Sequence, residues 1–556
     1  MIVSDANALN TSRKLAIIGC GSSGLIALKS AIDALPGWQI VCYEKGDQIT
    51  GVWGNPYPGF VSTSTKYTTQ FTCFPVRDAA VENDGGQSRA EFFRDGEYGE
   101  YLNQFADAFQ LRSHIKLGCQ VERLQRAASD EGWLLTYRST GEEGQATSVT
   151  EQFDAVVICT GLTAQCKELE TKLPTLSPRE LNKPDGLAHV TGERIVVFGG
   201  GESAVDYATR LARPELNNEV YLSLRTGVRV SPRYHPIRGV PSDFLRNRLM
   251  LSIHPVLRNW IGQRFVEARM LHQERFEKWF PAKSKKQAEN SKSSHQELKK
   301  EWAYRLTKGA KDELFNMFHN KSDDFLDGVA DGRIKIVGEP VDDEMIRFYQ
   351  FQSDEQVDVA PTKILPAVGY KSTLSAISGG TMSLADFYLG CVHVTYPDLF
   401  LVGFARPVIG NIPSISEMQA NYITGIIGGT VPRPPDIAQE HALAQEANFA
   451  RYPRLDLEII YPVEMFPYCD YLARQMKIYP TVKTAGSLRE WCRIQLQPAT
   501  TAHYYFQDQP THRFFGSAPV YMPSVFVLLL LLLKPLDWGF RIVRRVFRRQ
   551  AAHLPS

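Results

Sequence analysis

Two glycine-rich turns, about 180 residues apart, constrain the fold of this chain more than any other feature of its sequence. The first, GCGSSG at residues 19–24, follows the apolar run from Lys14 to Ile18. The second, GGGESA at residues 199–204, follows the apolar run from Arg194 to Phe198. An apolar strand, a glycine turn and a helical pattern, in this order, are the context in which such turns bind dinucleotides. The sequence therefore predicts two Rossmann-like units.

The residue that ends the next strand differs in charge between the two units. After the first turn, the strand Gln39 to Tyr43 leads to Glu44, whereas after the second the strand Glu219 to Leu224 leads to Arg225. An acid accepts the two ribose hydroxyls of an unphosphorylated adenosine, and an arginine suits a 2′-phosphate. This difference predicts FAD at the first site and NADPH at the second, a pair between which a hydride passes.

Within each turn, the glycines have separate roles. The first makes the tight turn, the second lets the backbone approach the pyrophosphate, and the third position needs a small residue so that the helix packs closely on the strand. The free N–H groups of the helix N-terminus then hold the phosphates. The predicted pyrophosphate-binding residues are Gly19, Gly21, Ser22, Ser23 and Gly24 for FAD, and Gly199, Gly201, Glu202 and Ser203 for NADPH.

Composition and charge exclude several other classes of protein. A chain of 556 residues predicts two or three domains, and 43% hydrophobic with 22% charged residues is typical of an ordinary folded protein. The net charge of +1 gives no indication of a nucleic-acid partner. The nine cysteines form no CxxC pair, so we expect free thiols in a reducing compartment and no dithiol reductase; we also expect no metal site.

The C-terminal segment differs from the rest of the chain. Residues 520–533 carry no charge, but these 14 residues are fewer than the roughly 20 that a membrane-spanning helix needs. In the following residues 538–549, one helical arc is apolar and the other holds all the arginines; the apolar arc consists of Phe540, Ile542, Val543, Val546 and Phe547. This pattern predicts a tail that lies on a membrane surface. A buried core helix and a helix that docks on an acidic partner are the alternatives. Residues 1–13 show no secretory signal.

The order of motifs along the chain predicts an α/β fold in which the NADPH domain is inserted in a discontinuous FAD domain. The FAD domain is predicted at 1–190 and 336–480, the NADPH domain at 191–335 with a charged helical insertion at about 243–318, an extension at 481–519 and the tail at 520–556. Buried strands are expected at 153–161, 363–370 and 399–403, and a helix from Ser416 to Gly429. Lys283 to Lys300 is expected to be a solvated helix face or loop.

Several segments together resemble the class B flavin-containing monooxygenases, over roughly Lys14 to Phe515. Each motif alone is only moderately specific for this family, but their order along the chain is highly specific. They are Glu44-Lys45 with Gly51-Val52-Trp53, Ser62 to Lys66 with Phe74-Pro75, Phe153 to Gly161, Gly199 to Asp206, Ala367 to Tyr370, Pro413 to Gln419, and Asp470 to Ala473 with Tyr479-Pro480.

Two departures from the family pattern stand out. The fingerprint FxGxxxHxxxY/F, usual before the second glycine turn, is missing, since the stretch from Ser177 to Thr191 keeps only His189. At Thr63, members of this family usually carry an asparagine whose side chain lies near the flavin and helps to hold the oxygenated intermediate. Threonine is shorter and offers one donor instead of two.

The resemblance implies an NADPH- and O2-dependent monooxygenase that inserts one oxygen atom into a small organic substrate through a C4a-(hydro)peroxyflavin, at a nitrogen or sulfur atom. It implies that Trp53 and Thr63 lie near the flavin ring as the catalytic residues. Lys45, Ser64, Thr160 and Gly161 are the further flavin-binding residues, and Arg225 binds the 2′-phosphate with Arg229 or Arg233 as helper. No catalytic histidine is expected.

Three other functions remain open. A Baeyer–Villiger oxygenase acting on a ketone is one, because the segments Gly51 to Trp53 and Asn55 to Gly59 are faintly similar to that sister group. An NADPH oxidase or reductase that releases H2O2 is favoured if Thr63 cannot stabilise the peroxide. The third is a membrane-tethered nucleotide-binding protein without catalysis. A hydrophobic C-terminal anchor recurs in the family, which implies attachment to a membrane, expected to be the endoplasmic reticulum, with the catalytic part facing the cytoplasm.

Overall fold

The computed structural model describes residues 12–54, 56–75, 92–128, 131–140, 146–163, 165–235, 239–272, 275, 294–310, 319–505 and 520–551. Its side chains are described as far as Ile542 in the last of these ranges. The predicted solvated segment from Lys283 to Lys300 therefore lies largely outside the described residues.

The strands of the described residues are numbered β1 to β22 in chain order. They are Lys14–Ile18, Gln39–Tyr43, Val61–Thr65, Phe92–Arg94, Ile115–Lys116, Cys119–Arg126, Trp133–Thr140, Ala146–Phe153, Ala155–Ile158, Arg194–Phe198, Glu219–Ser223, Val230–Ser231, Asn320–Lys321, Ile334–Pro340, Arg347–Gln350, Gln356–Asp358, Lys363–Pro366, Phe387–Tyr388, Val392–His393, Leu399–Leu401, Ala405–Ile409 and Tyr461–Glu464.

The helices of the described residues are numbered α1 to α15 in the same way. They are Ser22–Ala34, Lys66–Thr69, Glu97–Ala108, Pro178–Leu181, Glu202–Leu211, Arg248–Leu251, Pro255–Leu271, Ser294–Gly309, Phe325–Ala330, Thr373–Ser378, Ile412–Ile427, Ile437–Arg451, Met465–Gln475, Leu488–Leu496 and Ser524–Ala551.

The first glycine turn lies at the carboxyl end of a large sheet with the strand order β18-β19-β20-β9-β1-β2-β5. Its strands from β20 to β5 are parallel, and β1 is paired on both sides, with Ile17 opposite Cys42 on β2 and Val157 on β9. A central parallel strand is covered on both faces, which is why β1 and β9 are almost continuously apolar and buried.

The second glycine turn lies at the carboxyl end of a separate sheet with the order β16-β15-β14-β11-β10-β17. Strands β10, β11, β14 and β17 are parallel, and β15 and β16 add an antiparallel edge. In chain order the strands of this sheet fall between β9 and β18 of the first sheet. The second sheet continues past the predicted boundary at residue 335 to Pro366, because β17 pairs with β10.

Helix α11 covers the first sheet beside α1 and begins earlier than the sequence predicts. The expected start at Ser416 is wrong: the helix begins at Ile412, because the side chain of Asn411 accepts a hydrogen bond from the backbone N–H of Ser414 and caps it. In this helix the carboxylate of Glu417 is buried and accepts hydrogen bonds from the backbone N–H and hydroxyl of Thr72. Burial raises the pKa of Glu417 to about 7.

The C-terminal helix α15 is continuous through Pro535 and docks on the protein by polar contacts. The carboxylate of Asp537 is buried and accepts a hydrogen bond from the backbone N–H of His254 at 2.6 Å. Lys534 donates to the hydroxyl of Ser252, and Arg541 donates to its carbonyl oxygen. Among the described residues, no helix combines the length and the apolar stretch that crossing a membrane requires.

Candidate functional site

The first glycine turn is built by two close contacts that exclude side chains. Gly19 has φ +97°, and a Cβ atom there would lie 2.8 Å from the carbonyl oxygen of Cys159 at the end of β9. A Cβ atom on Gly24 would lie 1.9 Å from the carbonyl oxygen of Gly19. At Gly21, by contrast, the nearest atom to an added Cβ is the Cα of Gly51 at an ordinary 3.7 Å. Packing therefore requires glycine at 19 and 24 and leaves space over Gly21 for a ligand.

Glu44 supports this turn, a role that its position in the sequence does not indicate. One carboxylate oxygen accepts a hydrogen bond from the backbone N–H of Cys20 at 2.7 Å, and the other accepts from Gly46 at 2.9 Å. Each carboxylate oxygen accepts more than one hydrogen bond, so the group retains capacity for ribose hydroxyls. The neighbouring Lys45 is exposed.

The helices that follow the two glycine turns share an uncapped N-terminus. Gly21 precedes α1 and Gly201 precedes α5, and neither provides a side-chain cap. Ser22 and Ser23 are buried in the first turn of α1, and the hydroxyl of Ser23 lies 2.9 Å from that of Ser416 on α11. The first N–H groups of α1 and α5 are thus left for an anion, and the dipole of each helix favours one there.

The second glycine turn has the same steric logic with one difference. Gly199 has φ +127°, and a Cβ atom there would lie 2.3 Å from the carbonyl oxygen of Ala367, at the end of β17. A Cβ on Gly200 would meet the side chain of Val228 at 2.8 Å, whereas nothing lies within 4 Å of one on Gly201. Gly201 is exposed, so here too the position that packing leaves open faces the ligand space.

Two further residues of the second turn are predicted to bind NADPH. The hydroxyl of Ser203 lies 3.4 Å from that of Tyr370, on the loop after β17. The side chain of Glu202 is exposed, yet desolvation by the protein atoms around it raises its pKa above the ordinary value, although Arg406 and Lys321 oppose the shift. A carboxylate in the first turn of α5 repels a phosphate. Its raised pKa and its basic neighbours reduce that repulsion.

The three arginines predicted at the 2′-phosphate lie in different surroundings. Arg225 lies two residues after the end of β11, is exposed, and has no hydrogen-bond partner in the described part of the chain. Arg229 is buried and donates to Gln263 on α7, and its burial lowers its pKa to about 10. Arg233 is hydrogen-bonded to backbone carbonyls of β3 and to Asp323. Of the three, only Arg225 presents a guanidinium free for a phosphate; the helper role predicted for Arg233 does not fit its contacts.

Trp53 lies next to the first glycine turn. Residues 51–53 form a 3-10 turn that begins where Thr50 bridges to Gly21. The Trp53 ring is half-buried and packs edge-on against Phe60 and Tyr98, with ring centroids 5.8 Å and 5.0 Å away. Thr50 holds φ +91°, a conformation that a β-branched residue rarely adopts, and its backbone N–H donates to the carbonyl of Cys20. The aromatic packing and this strained turn fix Trp53 beside the pyrophosphate space.

Thr63 and Ser64 are half-buried at the centre of β3, and the strand is held by side chains from the second sheet's part of the chain. Asp243 accepts from the backbone N–H of Thr65 at 3.0 Å. Thr160 and Gly161 follow β9, and Thr160 is hydrogen-bonded to Thr373 at the start of α10. Because β1 and β9 are parallel neighbours, Thr160 and the first glycine turn lie at the same carboxyl end of the first sheet.

Sequence reasoning missed Lys321, Arg406 and Asp243, which lie near the second glycine turn or β3, and it gave Arg233 only a helper role at the 2′-phosphate. Arg406, Lys321 and Arg233 all act on Glu202, and Lys321 forms a buried ion pair with Asp243. Burial alone would raise the pKa of Asp243, but Lys321 and Arg246 lower it below its ordinary value. No local motif indicates these residues, because their partners are distant in sequence.

Two uncapped helix N-termini, each behind a glycine turn at the carboxyl end of parallel strands, are the arrangement with which dinucleotide-binding folds hold a pyrophosphate. A family model described as flavin-binding monooxygenase-like matches residues 12–314. The chain belongs to this family. At that level the predicted enzyme class, an FAD-dependent NADPH monooxygenase, and the two predicted cofactors are confirmed.

Two relatives that align with this chain over most of their length are named for different activities. A 4-hydroxybenzoate brominase (decarboxylating) from Marinomonas mediterranea is 23% identical, over 88% of this chain and 89% of that protein. Human flavin-containing monooxygenase 5 is 24% identical, over 89% of each. A crystal structure of cyclohexanone monooxygenase from Rhodococcus sp. Phi1 bound to NADP+ aligns with a TM-score of 0.53 and 17% identity, over 84% of this chain and 97% of that one. This structural likeness shows the shared α/β fold.

Alanine at Gly24 and at Gly21 should separate the packing role of the first turn from its ligand role. We expect Gly24→Ala to lower both the melting temperature and the FAD content of the purified protein, because its methyl group would lie 1.9 Å from a carbonyl oxygen. Gly21→Ala should lower FAD content at an unchanged melting temperature of the apoprotein, because its methyl group fits the protein. Flavin absorbance and thermal unfolding measure both. Full flavin occupancy in Gly21→Ala would contradict the assignment.

Proposed function

We propose that this protein uses NADPH and O2 to insert one oxygen atom into a small organic substrate, at a nitrogen or a sulfur atom. The observation that carries the proposal is the pair of uncapped helices behind glycine turns, with β3 and its Thr63 held between the two units. Bound FAD supplies the acceptance of a hydride from NADPH and the activation of O2. Overall, NADPH, a proton, O2 and the substrate give NADP+, water and the oxygenated substrate.

The two sheets divide the cofactors between them in this proposal. The first sheet, with Glu44 after β2, binds FAD, and the second sheet, with Arg225 after β11, binds NADPH. The second unit is inserted in the first, from about residue 191 to the end of β17 at Pro366, and the chain then returns to the first sheet. The charge that follows the second strand of each unit supports this division.

The residues of the chain have positioning and shielding roles. Thr63 offers one hydroxyl donor near the reacting atoms, and Trp53 with its aromatic neighbours closes one side against water. Thr160 is held by Thr373 at the end of β9. A nitrogen or sulfur substrate needs no general base from the protein, because its lone pair itself accepts the oxygen atom.

A product assay tests the proposed chemistry. Purified protein with FAD, NADPH and O2 receives N,N-dimethylaniline, a methyl aryl thioether, cyclohexanone, or 4-hydroxybenzoate with bromide. We expect the N-oxide or the sulfoxide, with consumption of NADPH and O2 in equal amounts and little H2O2. A lactone would favour the Baeyer–Villiger alternative. A brominated phenol would favour the activity for which the Marinomonas relative is named. Stoichiometric H2O2 would favour an oxidase.

The proposed NADPH preference is tested at Arg225. Replacement by alanine should raise the KM for NADPH by about 10- to 150-fold, since a hydrogen bond to a charged group contributes about 1.5–3 kcal/mol, and should leave the KM for NADH unchanged. Arg347→Ala, which removes an exposed arginine paired with Asp342, is the matched control and should change neither constant. Equal losses with both coenzymes would contradict the assignment of Arg225.

We further propose that α15 contacts a membrane surface. Its docked side carries Asp537, while Leu528, Leu532, Leu536 and Trp538 on the same helix are between 57% and 70% exposed. On α7, beside it, Trp260 is 63% exposed. Such an apolar face is larger than scattered exposed leucines, and Lys534 adds a positive charge for anionic headgroups. Of the predicted apolar arc, Phe540 and Ile542 are 37% and 41% exposed, and the side chains of Val543, Val546 and Phe547 lie outside the described ones. Attachment to the endoplasmic reticulum stays a prediction.

Vesicle binding tests this surface. The full-length protein should sediment with vesicles of phosphatidylcholine and phosphatidylserine, and the double variant Leu532→Ser and Trp538→Ser should lose at least about tenfold in partitioning, because burial of each apolar side chain contributes about 1.5–3 kcal/mol. Leu443→Ser, at an equally exposed leucine on α12, should bind like the wild type. Equal binding by the double variant and the wild type would overturn the proposal.

A further inference from the structure

Two charged side chains from a distant part of the chain form hydrogen bonds with the backbone at the two ends of β3, the strand that carries Thr63. The guanidinium of Arg233 donates to the carbonyl oxygens of Ser62 at 2.9 Å and Val61 at 2.7 Å. The carboxylate of Asp243 accepts from the backbone N–H of Thr65 at 3.0 Å and from the hydroxyl of Thr68 at 3.3 Å. These contacts bracket Thr63 and join residues more than 170 positions apart.

Both charged side chains are held by one short element of the second unit. Strand β12 pairs with β13, and Lys321 at the end of β13 forms the buried ion pair with Asp243. Two residues further on, the carboxylate of Asp323 accepts from the guanidinium and from the backbone N–H of Arg233, each at 2.9 Å. The β12–β13 pair and its two ion pairs form what we call the clamp: Arg233, Asp243, Lys321 and Asp323.

The clamp also touches the second glycine turn. The side-chain amide of Asn320, on β13, donates to the carbonyl oxygen of Gly200 at 2.9 Å. A continuous set of hydrogen bonds and one ion pair therefore runs from the turn that would hold the NADPH pyrophosphate, through β13 and Asp243, to the strand of Thr63. Through this path the position of one cofactor site is tied to the position of the other.

A contribution to the free energy of unfolding does not by itself explain why charged side chains connect β3 to the second unit. The desolvation cost of a buried ion pair offsets most of the attraction, so apolar residues of similar volume would hold the two units together equally well. What charged, directional groups add is geometry, because the guanidinium of Arg233 and the carboxylate of Asp243 must each meet specific backbone atoms of β3. The position of β3 is thus specified more tightly than packing would require.

We propose that Arg233 and Asp243 are positioning residues that fix β3, and with it Thr63, relative to the second nucleotide site, and that this geometry keeps NADPH oxidation coupled to oxygen transfer. The inference rests on the proposed function. Arg233 acts through the backbone of Val61 and Ser62, whose carbonyl oxygens accept from its guanidinium.

The test compares Arg233→Gln with Arg233→Lys and with a control, Arg333→Gln, which breaks an exposed pair with Asp331 on the same unit. Hydrogen exchange of the peptide 60–68 in the FAD-loaded enzyme, without NADPH, reports on β3 directly. We expect Arg233→Gln to speed this exchange by at least about fivefold, as for the loss of one hydrogen bond, Arg233→Lys to be intermediate, and Arg333→Gln to match the wild type.

The second readout is the coupling ratio. In Arg233→Gln the H2O2 released per NADPH oxidised should rise several-fold, while the anaerobic rate of flavin reduction by NADPH stays within about twofold of the wild type. Wild-type exchange of the peptide, or a reduction rate that falls as far as the coupling, would overturn the inference. If the wild-type protein oxygenates none of the substrates, the proposed function fails by itself, and the exchange experiment still decides whether the clamp holds β3.

Discussion

A methyl group on Gly24 would lie 1.9 Å from the carbonyl oxygen of Gly19, and one on Gly199 would lie 2.3 Å from that of Ala367. The first contact lets α1 pack closely on its sheet, and the second lets the turn before α5 pass close to the end of β17, so that the first N–H groups of both helices lie at the carboxyl ends of the strands. Both cofactor sites depend on this approach, since an anion there meets free donors and the positive end of a helix dipole. The uncapped starts of α1 and α5 follow from the same geometry.

The two units meet at β3, where charge rather than apolar packing determines the geometry. Arg233 and Asp243 bind the backbone of the strand. Asp243 is paired with Lys321 on β13, and Arg233 is paired with Asp323, two residues after the end of that strand. Burial of a charged group costs free energy unless its partners are well placed, so few alternative arrangements are tolerated. This makes β3 a strand whose position is specified by the second unit although it belongs to the first unit's part of the sequence.

Family membership leaves the reacting atom of the substrate open. Relatives at 23% and 24% identity, each covered over 89% of its length, are a brominase and a flavin-containing monooxygenase, so similar sequences carry different activities. Thr63, with one donor on a strand held at both ends, is one of the two places at which the resemblance indicates a departure from the usual family pattern.

The sequence by itself determined the two strand–turn–helix units, the acid and the arginine that follow them, and hence the class of enzyme, because these signals are local and consist of short-range periodicity and glycine sterics. One error was also local: α11 begins at Ile412, since the capping side chain of Asn411 was not recognised. The predicted boundary at residue 335 missed the pairing of β17 with β10, which joins distant parts of the chain. Only the tertiary structure decided that Glu44 braces the glycine turn, that Arg233 holds β3, and that Lys321 meets Asp243. Such contacts join residues up to 178 positions apart, and sheet packing, which no local pattern encodes, brings them together.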